Sequence, residues 1–201
     1  MTILAFEPFS GASGDMLTGC LIDLGADASA VRENMEAAGV EVQICQVQKS
    51  GIRAVRVNVI AHDGLRSYLE LIDAIQSCGI SSPILADASA IFGILAEAEA
   101  AVHGVHKDEL IFHQVGAQDA VADVIGACTA ISQLQVNSVF TAPICVGGGS
   151  VETDHGRLPV PAPATAAILS KYHLITRGGP VEGELLTPCL LYTSPSPRDC
   201  S

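Results

Sequence analysis

The chain has 201 residues, 49% of them apolar, and sets 10 Lys and Arg against 22 Asp and Glu for a formal net charge of -12. That length suits one domain, or two small ones, with a sizeable core. So acidic a surface repels nucleic acid and anionic membrane, and no basic cluster or aromatic-and-basic strip offsets it.

In chain order, residues 3–6 read as a short buried strand, and Ser10-Gly11-Ala12-Ser13-Gly14-Asp15 as a tight loop. Residues 16–24 read as a helix closed by Gly25, and Asp27 with Ser29 can cap a second helix that ends at Gly39. Residues 42–47 and 55–59 have strand character, Arg56 and Asn58 alternating with Val55, Val57 and Val59. Ser67-Tyr68-Leu69-Glu70 is a capping box, and Ser82-Pro83 opens a helix with apolar spacing almost to His103. A further helix carries Asp119 and runs to about Leu134, followed by a strand at 139–142. Gly147-Gly148-Gly149 reads as a flexible loop and His155-Gly156 as a turn. Pro159 to Thr165 then forms a stiff lead into a helix that ends near Ser170. Strands mixed with helices give an α/β (or α+β) class, a mixed sheet with helices packed on it. Residues 1–188 form the expected domain. The tail 189–201 lacks periodicity and is expected to be disordered.

No basic n-region or long apolar stretch marks a signal peptide, and no apolar run approaches membrane-spanning length. The seven cysteines are scattered without a C-x-x-C, and most of them read as small buried hydrophobes in a reducing cytosol. Cys145, beside the glycine run, is the exception to watch.

The most informative stretch is Phe112-His113-Gln114-Val115-Gly116-Ala117-Gln118-Asp119-Ala120-Val121-Ala122-Asp123. Asp119 and Asp123 are four apart and so share one helix face, with His113 just before a glycine that can fold it back toward them. One imidazole and two carboxylates suit a divalent first-row metal or Mg²⁺. The alternative is that Asp119 caps the helix and Asp123 is solvated. The Ser10 to Asp15 loop presents backbone N–H groups and a helix N-terminus, an anion cradle with Asp15 placed to ligate a metal. Its alternative is an ordinary turn with Ser13 or Asp15 as cap. Gly147, Gly148 and Gly149 let backbone approach a ligand, and His155 follows as a ligand or acid/base group. A mobile hairpin with an exposed histidine is the alternative there. His103 and His106 read as solvated, and Gly178 to Glu184 supplies carboxylates beside turn residues.

Four segments in this order carry a resemblance. They are Phe9-Ser10-Gly11-Ala12-Ser13-Gly14-Asp15-Met16, Phe112 to Asp123, His155-Gly156-Arg157-Leu158-Pro159-Val160-Pro161-Ala162-Pro163-Ala164-Thr165, and Val181-Glu182-Gly183-Glu184-Leu185-Leu186-Thr187-Pro188. Together they strongly resemble the LarC-type nickel insertion proteins, over Met1 to about Pro188. The resemblance implies a cytoplasmic, homo-oligomeric cyclometallase of the lyase class, CTP-dependent with Mg²⁺ or Mn²⁺. Such an enzyme inserts Ni²⁺ into pyridinium-3,5-bisthiocarboxylic acid mononucleotide to complete the nickel-pincer cofactor of lactate racemase, whose apoprotein is an expected partner.

On that reading Asp15, His113 and Asp119 are the expected catalytic residues, and His113, Asp119, Asp123 and His155 the metal ligands. Gly11, Ser13, Gly14, Gly147, Gly148 and Gly149 cradle the ligand. Two departures stand out: Gln114 occupies a position where the family usually has Glu, and Cys189-Leu190-Leu191 replaces the family's continuation toward a CTP-associated domain. The chain therefore reads as an N-terminal fragment. Rival readings are a nickel-storing chaperone without catalysis, and a phosphate-ester hydrolase with Asp15, Asp119 and Asp123 around Mg²⁺.

Overall fold

The computed structural model describes residues 2–61, 67–112, 118–153 and 155–186. The tail set apart in the sequence lies outside them. Strand β1 (Ile3–Phe6) pairs in parallel with β4 (Ser138–Thr141), Leu4 facing Val139. Pleating buries Leu4 but leaves Ile3 and Phe140 exposed, so the strand expected to be buried is covered on one face only.

Helices α1 (Gly14–Asp23) and α2 (Ala28–Glu36) follow, the second capped by Asp27, whose carboxylate accepts from the N–H groups of Ser29 and Ala30. Strands β2 (Glu41–Lys49) and β3 (Ile52–Ile60) form an antiparallel hairpin packed on α1. At Gly19 of α1 a Cβ would meet the Val55 carbonyl oxygen of β3 at 2.6 Å. The capping box of Ser67 and Glu70 opens α3 (Tyr68–Gln76) with both of its reciprocal bonds. Pro83 sits in the first turn of α4 (Ser82–His103).

Helix α5 (Gln118–Gln133) is central, with Val121, Val124, Ile125, Cys128 and Ala130 buried on different sides of it. Helices α1, α2 and α4 pack around it. At Gly126 a Cβ would lie 2.7 Å from the Met35 sulfur and 3.2 Å from a Thr18 methyl, so a glycine lets α1 and α2 close on α5 there. Helix α6 (Pro163–Lys171) packs on α4.

The remaining strands are short: β5 (Ile144–Cys145), β6 (Gly147–Gly148), β7 (Ser150–Thr153), β8 (Gly156–Pro159), β9 (Thr176–Arg177) and β10 (Gly183–Glu184). The α/β class is as the sequence indicates. Among the described residues, however, the strands pair two by two in five sheets, two parallel and three antiparallel, rather than in one mixed sheet. Two-residue strands broken by glycine and proline cannot extend a ladder further. Gly147-Gly148, read as a flexible loop, is one of these paired strands.

The five described cysteines divide between covered and exposed positions. Cys20 and Cys45 are exposed and Cys78 half-buried, while Cys128 and Cys145 are buried. No helix among the described residues is long and apolar enough to cross a membrane.

Candidate functional site

Two helix starts meet at one carboxylate. Gly14 opens α1 directly against Asp123, one turn inside α5. A Cβ on Gly14 would fall 2.6 Å from both the Cβ and the Oδ2 of Asp123. The absence of a side chain lets the α1 backbone reach this carboxylate, and the Asp15 N–H donates to it. Among the described residues, Asp123 Oδ1 is buried and has no hydrogen-bond partner.

Burial, followed by the negative charges of Asp15 and Asp119, raises Asp123 to about 7, and the Asp15 N–H offsets only part of the rise. A buried carboxylate oxygen with neither donor nor cation is costly, and a metal ion is one partner that would satisfy it.

Ser13 occupies the position preceding α1, yet its hydroxyl donates to Asp15 Oδ1 and does not cap the helix. Asp15 is half-buried and held by that contact. Asp119 is exposed in the first turn of α5, where its Oδ1 accepts the Ala120 N–H at 2.7 Å. Asp119 is thus the second residue of α5 and stands in solvent rather than at the cap position, whereas Asp123 is covered by the α1 backbone.

His113 and Gln114 lie outside the described residues. Among those described, no group of three or more His, Cys, Asp or Glu converges closely enough to hold a metal ion. His155 sits on the turn between β7 and β8, with its N–H donating to Thr153 Oγ1 at 3.1 Å. Its ring packs edge-on against His103, centroids 5.0 Å apart. His103 in turn lies 3.7 Å from Glu99.

The two glycine loops singled out in the sequence share one partner, the segment 183–186. At Gly11, φ is 88° and a Cβ would strike the Leu185 carbonyl oxygen at 2.0 Å; at Gly147, φ is 93° and a Cβ would strike the Gly183 oxygen at 1.9 Å. Ala12 N–H donates to Leu185 O at 2.9 Å, and Leu185 N–H to Val146 O at 3.3 Å. This strap fixes both loops. Among the described residues nothing lies within 4 Å of a Cβ at Gly148, and Gly149 lies beside Glu182.

Sequence reading passed over Arg177. It stands opposite Cys145 in the β5–β9 pair, and its Nε donates to the Cys145 sulfur at 3.1 Å. The only local signal was its place before Gly178-Gly179-Pro180, and its partner is 32 residues away.

The sequence pattern of the family described as Nickel insertion protein matches residues 4–191. The chain belongs to that family. Homologues named for nickel insertion include those of Methanosarcina mazei, 50% identical over 192 residues, and Methanosarcina barkeri, 48% identical over 192 residues. Each alignment covers 94% of this chain and 48% of the homologue. A more distant member, from Geotalea uraniireducens, is 38% identical over 92% of this chain and 47% of its own length. The chain thus spans about half the length of the curated family members it matches. No solved structure matches it.

Proposed function

We propose that this chain is the metal- and substrate-handling part of a nickel insertion enzyme, acting on a pyridinium bisthiocarboxylate mononucleotide to form the nickel-pincer cofactor of lactate racemase. The observation that carries the reading is the buried Oδ1 of Asp123 beside Asp15, without a partner among the described residues, in a chain of the nickel insertion family. Carboxylate oxygens suit an incoming Ni²⁺, and His113 with Asp119 would complete the donor set. His155, turned toward His103, is not needed for it.

Insertion joins nickel to two sulfurs and a ring carbon, and the ring C–H must release its proton. With Ni²⁺ on its Oδ1, Asp123 would be held as the carboxylate and fix the metal, and Asp15 beside it would be placed to take the ring proton. Gly11, Gly14 and Gly147 are taken up by contacts within the chain, so the nucleotide would be met at Gly148 and Gly149. CTP with Mg²⁺ or Mn²⁺ would supply the driving step in the longer protein. In this reading the enzyme works in the cytoplasm as a homo-oligomer, classed as a lyase, and delivers its product toward lactate racemase apoprotein.

The test is incubation of the full-length gene product with the thiolated nucleotide, Ni²⁺ and CTP–Mg²⁺, read by mass spectrometry. A nickel-bearing nucleotide is the expected product, lost in Asp123→Asn. Stoichiometric nickel binding without product would replace this reading with the chaperone, and phosphate release without nickel would replace it with the hydrolase.

A further inference from the structure

A cavity of about 530 Å³ is lined by Phe9, Cys145, Arg177, Gly178, Gly179 and Pro180. Its volume falls within the range of small-ligand sites, roughly 300–1,000 Å³. It opens beside the loop that leads to Asp123. From Phe9 at its rim to Gly14 against Asp123 the chain spans five residues, at most about 17 Å.

In a protein of net charge -12 an anion needs a local cation, and Arg177 is the one that lines this cavity. The parallel register sets Arg177 opposite Cys145. Cys145 is 2% exposed; its thiol donates to the Phe9 carbonyl at 2.8 Å and accepts from Arg177 Nε at 3.1 Å. Glu7 Oε1 accepts from Nη2 at 3.4 Å. Among the described residues the guanidinium is thus held from two sides by two of its five N–H groups, and a planar fork with N–H groups to spare matches a phosphate. Gly179 keeps the wall thin, since a Cβ there would meet Leu185 Cδ1 at 2.2 Å.

We propose that Arg177, positioned by Cys145 and Glu7, is the subsite for the phosphate monoester of a mononucleotide bound in this cavity. The phosphate subsite follows from the cavity geometry; that its ligand is a pyridinium mononucleotide rests on the proposed function.

The test is calorimetric titration of the metal-free protein with nicotinamide mononucleotide and with nicotinamide riboside, which lacks the phosphate. The mononucleotide should bind at least tenfold tighter than the riboside. Arg177→Met should erase that difference and Arg177→Lys keep part of it, while both leave Ni²⁺ binding unchanged. Equal affinity for the two probes, no mononucleotide binding at millimolar concentration, or wild-type discrimination in Arg177→Met would each overturn the assignment. Phosphate discrimination through Arg177 in a protein that binds no Ni²⁺ would keep this subsite and defeat the nickel reading instead.

Discussion

At the scale of single residues, the behaviour of Asp123 follows from what covers it. Spacing showed that Asp119 and Asp123 share a face of α5, but not that the α1 backbone would close over the second and leave the first in water. Such burial has a sign in stability. Below about pH 4 the Asp123 carboxyl is protonated in both folded and unfolded chains, so it carries no penalty. Between about 4 and 7 the unfolded chain releases the proton and the folded one keeps it, so folding weakens as pH rises. Over those three units the loss is on the order of 4 kcal/mol, and it is constant above 7. Urea denaturation of metal-free protein at pH 4.5 and 8 should therefore show this slope, and Asp123→Asn should flatten it. An unchanged slope in the variant would assign the pH dependence elsewhere.

At the scale of elements, the helices were legible because their signals are local. The Ser67–Glu70 box, Pro83 in the first turn of α4 and the Asp27 cap each act within four residues, and all three are realised. The short strands were not legible, because two residues carry no periodicity and their partners are distant in sequence. Gly147 illustrates the consequence: a glycine read as freedom is instead a point of close contact under the Gly183 oxygen. Gly147→Ala should force the 183–186 strap away from β6, combining a positive-φ penalty with a backbone clash. A loss of about 2 kcal/mol or more in stability is expected, with faster proteolysis within 180–186. Wild-type stability and cleavage would show that the strap does not depend on this contact.

At the scale of the whole molecule, α5 brings its Asp123 against the start of α1, and the strap binds the loops at 9–12 and 146–148 into one neighbourhood. The family assignment was legible from four motifs in order, because motif order survives where individual contacts cannot be read. The cavity at Arg177 was not, since it exists only after β5 and β9 pair. The central claim is that this chain, about half the length of its curated relatives, carries a nickel site built on Asp123. Calorimetric titration of Ni²⁺ into the wild-type chain and Asp123→Ala, at pH 8 and pH 6, tests it most directly. The account predicts one Ni²⁺ per chain at pH 8, several-fold weaker binding at pH 6 where Asp123 holds its proton, and no comparable site in the variant. Equal nickel affinity in wild type and Asp123→Ala would contradict it.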